Sequence, residues 1–221
     1  MSGKVAVIVF PGTNCEHDVM RALDLVGLNG ELVWHGQGNL DGFDAIVIPG
    51  GFAHGDYLRP GAIARFSNVM AAIVSRASNG TPTLGICNGF QVLTEAGLLP
   101  GALQKNSGLK FICETEKLEV VAGSAITSPE IAFSQVIELP INHFEGNYTI
   151  SHDGYEELVE NNQVVLRYVD NPNGSIGSIA GISNLTGNVV GMMPHPERAT
   201  DLLLGSTDGL LIFESLKLRI S

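Results

Sequence analysis

Cysteine is scarce. The 221 residues contain only Cys15, Cys87 and Cys113, an odd number, widely spaced and with no CxxC pair. Neither a disulfide framework nor a zinc site is expected, and a reducing compartment fits. Positive charge is scarce as well, with 12 Lys and Arg against 23 Asp and Glu and a formal net charge of -11. Such a chain lacks the broad positive field that a phosphate backbone requires, so nucleic acid is not an expected partner. Long apolar runs are missing too. The stretch Val5 to Phe10 follows a single lysine and runs into Pro11, Gly12 and Thr13, without the h-region and cleavage site of a signal peptide. No other run approaches the roughly 18 residues that a membrane span needs. A cytoplasmic protein without membrane attachment is expected. Internal repeats, low-complexity tracts, linkers and P-loop or ATP-grasp patterns are also absent, so one domain over residues 1–221 is expected, and ATP is not expected to bind on it.

What is present is core material. Hydrophobic residues make up 44% of the chain and charged residues 16%. The apolar, β-branched Val5 to Phe10 reads as a strand, followed by a helix from about Cys15 to Val26 with Thr13 or Asn14 as cap and Gly27 as stop. Strands follow near Glu31 to Trp34 and at Ala45 to Ile48, the latter ending at Pro49, Gly50 and Gly51. Between Gly61 and Asn79 the apolar positions Phe66, Val69, Met70, Ile73, Val74 and Ala77 recur at helical spacing and predict one helix face. Thr83 to Ile86 reads as a strand entering Cys87, with a helix from about Asn88 to Ala96 closed by Gly97. From Phe111 to about Ile150 the runs shorten and alternate, as at Lys117 to Val121 and Gln135 to Leu139, which predicts antiparallel strands. Further strands are expected at Val164 to Tyr168, Ser178 to Ser183 and Val189 to Met193, a turn at Asn171 to Gly174, and a closing helix at Gly209 to Ile220. Alternating strands and helices predict an α/β fold: a mostly parallel sheet with helices on both faces, a small antiparallel section, and ligands at the carboxyl ends of the strands.

Gly85-Ile86-Cys87-Asn88-Gly89 has the form GxCxG where a strand meets a helix. It resembles a nucleophile elbow, in which small residues two positions either side of the nucleophile prevent a clash of strand and helix. A cysteine at a helix N-terminus also has its thiolate favoured by the unpaired N–H groups. The plainer reading is a small buried cysteine between packing glycines. Acyl transfer further needs donors for a developing oxyanion, and the loop after Ile48 offers Gly50 and Gly51. The Gly51 N–H joins the Asn88 N–H as a candidate pair, against an ordinary tight turn. Cys113 sits in an apolar strand and is read as core, and Cys15 stays open.

Met193-Pro194-His195-Pro196-Glu197 places a histidine and a carboxylate two residues apart. In extended backbone these point the same way, so Glu197 is positioned to orient the His195 imidazole. Cys87, His195 and Glu197 then form a triad by role. The competing reading is a surface turn, and a metal site is not expected because no further ligand cluster accompanies the HxE pair.

Taken in order, these pieces resemble the class I glutamine amidotransferases of the triad type. The segments Gly85 to Gln91, Gly55 to Arg59, Asn171 to Ser175, Met192 to Arg198 and Pro11 to Cys15 are similar to the glutaminase subunits of phosphoribosylformylglycinamidine synthases, over nearly the whole chain. The resemblance implies a flavodoxin-like amidotransferase fold and a step of purine biosynthesis. Glutamine would be hydrolysed to glutamate and ammonia. A large synthetase subunit, with a small third subunit, would use that ammonia to convert formylglycinamide ribonucleotide to the formylglycinamidine. ATP and Mg would bind on that partner. Cys87 would carry the γ-glutamyl thioester, His195 would act as base and acid, Glu197 would hold His195, and Gln91 would lie near the glutamine.

Two departures stand out. Ala53-His54-Gly55-Asp56 replaces the family's usual SerTyrGlyAsp, and Asn142-His143-Phe144-Glu145-Gly146 replaces AlaHisGlyGluGly. Phe144 for glycine bears on how this loop meets glutamine or the partner. Asp56 and Arg59 either couple to the synthetase or merely cap and pair. His143 and Glu145 either line the entrance or form a turn, and His17, His35 and His152 read as solvated or structural. Competing functions are a glutaminase for another ammonia-using synthetase, a cysteine hydrolase on a similar sheet, and a non-catalytic regulatory module.

Overall fold

Strands that are apolar on every residue must be covered on both faces, and this requirement organises the molecule. The structure, a computed structural model, describes residues 3–121, 124 and 135–220. In chain order its elements are β1 (Lys4–Val9), α1 (Glu16–Leu25), β2 (Asn29–Trp34), β3 (Ala45–Ile48), α2 (Asn68–Ser78), β4 (Thr83–Ile86), α3 (Asn88–Glu95) and β5 (Ala102–Gln104). Then come β6 (Ile112–Val120), β7 (Val136–His143), β8 (Asn147–Thr149), α4 (His152–Glu160), β9 (Val164–Tyr168), β10 (Ile179–Ser183), β11 (Val189–Met192) and α5 (Gly209–Ile220). A nine-stranded sheet has the order β2-β1-β3-β4-β11-β10-β9-β6-β7, and β5 pairs with β8 in a separate two-stranded sheet. The first four pairings, from β2 to β11, are parallel and the last four antiparallel. Only β10 and β6 therefore run against the other strands, and the sheet is mostly parallel, as expected. β3, β4 and β11, the strands that carry the site, are buried at every residue.

The connection from β1 to β2 leads toward one edge of the sheet, and that from β3 to β4 leads toward the other. Right-handed crossovers put α1 and α2 on opposite faces. The chain thus diverges between β1 and β3, and the loops after these strands open a crevice at their carboxyl ends.

Several sequence expectations change. Residues 61–79 do not form one helix: a short 3-10 turn, Ala64–Phe66, is separated from α2 by the extended Ser67, and Phe66 is 73% exposed. The break follows from Gly61, whose α-carbon packs on the backbone of Gln91 and Val92, drawing this segment along α3. Neither Thr13 nor Asn14 caps α1. The N-cap is Cys15 without a side-chain bond, and the Thr13 hydroxyl instead accepts from the Phe10 N–H. Cys113 is exposed and not core: it lies on the outer end of β6, where burial is complete only at Leu118 and Val120. Helix α4 and strand β5 lie outside the sequence expectations. The antiparallel strands expected between Phe111 and Ile150 are β6, β7 and β8; positions 122–123 and 125–134 of that segment lie outside the described residues. Among the described residues no helix is long and apolar enough to cross a membrane.

Candidate active site

The turn after β4 is built for one close approach. Cys87 has φ 50° and ψ -103°, a conformation disfavoured for a side-chain-bearing residue, and it is the N-cap of α3. The bend is possible because a Cβ on Gly89 would stand 2.0 Å from the Ile48 carbonyl oxygen, and one on Gly85 would stand 2.7 Å from the Gly89 backbone. Glycine at both positions lets α3 pack directly on β3 and β4. The Asn88 N–H, in the first turn of the helix, has no intrahelical acceptor. Its side chain ties the neighbouring loops: Oδ1 accepts from the Ala53 N–H at 2.9 Å, and Nδ2 donates to Gln91 Oε1 at 2.8 Å and to Asp56 Oδ1 at 3.1 Å.

His195 follows β11, the strand beside β4, and is buried. The expectation of extended backbone through Glu197 is corrected, since Pro196–Arg198 forms a 3-10 turn with proline at its first position. The turn still brings the pair together, with His195 Nδ1 and Glu197 Oε1 2.6 Å apart and both side chains almost wholly buried. Burial opposes the charged imidazole, but Glu197, and then Cys87 and Cys15, outweigh it and hold the His195 pKa well above its ordinary range. Among the described residues its Nε2 makes no hydrogen bond of good geometry, with Cys87 as its neighbour in the site.

One pocket collects these groups. Asn14, Cys15, Gly51, Cys87, Gln91, His195 and Arg198 line it, together with Asp56 and residues 142–145. Its empty volume, open mouth included, is about 480 Å³. Gly50 lies behind the His195 ring rather than at the pocket surface. Asp56 is half-buried, and burial together with the nearby Glu145 pushes its carboxyl up to about 6 against the Asn88 hydrogen bond. Arg59, by contrast, makes a two-pronged ion pair with Glu95 on the surface.

Three parts of this site were not read from the sequence. Cys15, left open there, is buried with its sulfur 3.1 Å from Arg198 Nη2 and 4.0 Å from His195 Nδ1. Cys15, His195 and Glu197 could converge on a metal ion, but the Arg198 guanidinium at the same sulfur disfavours a further cation. Strand β7 ends here as well, despite lying at the far edge of the sheet. The Pro140 carbonyl accepts the His195 N–H at 2.8 Å, and the Asn142 carbonyl stands 3.8 Å from Cys87 Sγ. The loop that follows is clamped by buried Asn106 and Asn173, the latter donating to the Gly146 carbonyl at 2.9 Å. No periodicity announces such a return of a distant strand; the Asn142 to Gly146 and Asn171 to Ser175 segments are its visible traces, and His143 and Glu145 do line the pocket.

The two departures are locally accommodated. Phe144 is not among the residues of positive φ, so a glycine's freedom is unnecessary there, and its ring stands half-exposed beside Lys105. His54, in a left-handed conformation, packs edge-on against His35 with centroids 5.2 Å apart.

Residues 2–208 match the CobB/CobQ-like glutamine amidotransferase domain. A chain in the structure of PurLQS from Thermotoga maritima is 41% identical, with all of both chains covered and a TM-score of 0.93. A glutamine amidotransferase from the same organism shares the fold at 15% identity, with 100% of this chain and 99% of that one covered and a TM-score of 0.65.

Proposed function

The chain belongs to the CobB/CobQ-like glutamine amidotransferase family, and from that premise we propose that it releases ammonia from glutamine through a Cys87 thioester. It is the glutaminase subunit of a phosphoribosylformylglycinamidine synthase, in keeping with its full-length likeness to a chain of PurLQS. The observation that carries the chemistry is His195, held by the buried Glu197, lining the same pocket as a cysteine in a strained bend.

In the first step His195 Nε2 takes the Cys87 proton and the sulfur attacks the glutamine carboxamide carbon. The Gly51 and Asn88 N–H groups receive the oxyanion, while Glu197 keeps the imidazole oriented and favours its charged form. When the C–N bond breaks, the nitrogen keeps the electron pair and takes the proton from His195, leaving as ammonia. Water, losing a proton to His195, then opens the thioester to give glutamate and the free thiol. Gln91 and Asp56 line the pocket where the amino-acid end of glutamine would sit. The whole chain acts as one domain. ATP and Mg²⁺ bind on a large synthetase partner, which with a small third subunit consumes the ammonia.

With that synthetase present, Cys87→Ala should abolish glutamine-dependent synthesis and spare ammonia-dependent synthesis. Equal loss of both would count against the reading, whereas a cysteine hydrolase or regulatory module would show no link to synthesis at all.

A further inference from the structure

We propose that His143 is a specificity-determining residue of this glutaminase, whose Nε2 accepts a hydrogen bond from the carboxamide nitrogen of glutamine and then from the departing ammonia. The inference rests on the glutaminase reading and deepens it.

The tautomer of His143 follows from its neighbours. Asn106 is fully buried, and its Nδ2 donates to the Lys110 carbonyl at 2.9 Å and to the His143 carbonyl at 3.0 Å. The amide is thereby oriented, and its Oδ1 accepts from the Gly146 N–H at 3.1 Å. The same oxygen lies 3.1 Å from His143 Nδ1, so that nitrogen must carry the ring's proton. Nε2 is left as a bare acceptor, buried and with no partner among the described residues. Burial, and next the nearby His195, hold the ring's pKa down to about 4, so it stays neutral at physiological pH. Gly146 completes the arrangement: a Cβ there would come within 2.2 Å of the ring, so only glycine lets the chain close over it.

The position selects the ligand group. His143 ends β7 on its buried face, lines the pocket, and follows Asn142, whose carbonyl is 3.8 Å from the Cys87 sulfur. Among the described residues His143 Nε2 lacks a partner, and a carboxamide NH₂ can donate to it, while His195, once it has taken the Cys87 proton, presents an N–H to the same substrate nitrogen. As the C–N bond breaks, the nitrogen receives the His195 proton and keeps an N–H on His143. The ammonium end of glutamine has other acceptors in Asp56 and Glu145. Glutamate presents only oxygen lone pairs to Nε2, so the product is repelled where the substrate is held.

The test uses His143→Phe in the complex with its synthetase, comparing glutamine with glutamate γ-methyl ester, whose leaving group has no N–H. Glutamine kcat/KM should fall by about 30-fold or more while the ester changes by less than about 3-fold, and inhibition by glutamate should tighten. Parallel loss on both substrates, with wild type cleaving both, would overturn the role of His143 alone. A wild type that cleaves neither would overturn the glutaminase reading itself. Without touching His143, ¹⁵N NMR of the Cys87→Ala protein should show a neutral ring protonated at Nδ1, with an Nε2 resonance that shifts on adding glutamine and not glutamate. A ring protonated at Nε2 sinks the proposal.

Discussion

Gly50 lies so close to the face of His195 that a Cβ on it would fall 2.6 Å from Cε1 and 3.3 Å from Nδ1. The glycine loop after β3 is thus the rest against which the imidazole is set. Its second glycine, Gly51, adopts φ 147° against the backbone of Gly12 to Asn14, so the two glycines serve different contacts.

Gly50→Ala should displace the ring from Cys87 while leaving the fold in place. A misplacement near 1 Å can lower a rate by about 100-fold, and overpacking of this kind costs roughly 1–3 kcal/mol. Glutamine-dependent synthesis should fall by about that factor, and ammonia-dependent synthesis should hold. Glutaminase kinetics within a factor of about two of wild type would show that the ring has room to move.

Gly89→Ala should act on stability. Its Cβ would meet the Ile48 carbonyl at 2.0 Å, backbone against side chain, with no flexible group to yield. Separation of α3 from β3 should destabilise the chain by about 3 kcal/mol or more, read as a lowered urea midpoint. An unchanged midpoint would mean that the elbow is not closed as described.

His143 sets a pH dependence of a definite sign. With its folded pKa near 4 and an ordinary unfolded value, the unfolded chain takes up a proton that the folded chain refuses. Stability from this group is therefore full above the ordinary histidine range and is lost as pH falls toward 4, by up to about 3 kcal/mol. Asp56 and Glu116, raised to about 6 and about 7, work in the opposite direction, since the folded chain holds their protons longer. Urea unfolding of wild type and His143→Phe at neutral and acid pH isolates the contribution of this ring. The wild type should lose about 2 kcal/mol more than the variant on going to about pH 4.5, and parallel losses would refute the neutral buried ring.

The strands around the site were legible because their apolar residues have no other place to go. Ala45–Ile48, Thr83–Ile86 and Val189–Met192 come out close to their expected limits, and GxCxG and HisProGlu come out at the ends of neighbouring strands. Phe66 and Cys113 misled for the same reason: apolar type argues for burial, but the backbone contact of Gly61 and the outer end of β6 put both at the surface.

What the sequence determined alone is therefore local: which segments are strands, where the chain must bend at glycine, and which reactive side chains stand at those bends. The tertiary structure decided what meets them. That β7, from the far edge of the sheet, sets Asn142 and His143 beside Cys87, and that Cys15 and Arg198 sit behind His195, depends on sheet order and on an asparagine clamp. Long-range hydrogen bonds between single side chains and distant carbonyls leave no periodicity to read, and only the packed chain brings their partners within reach.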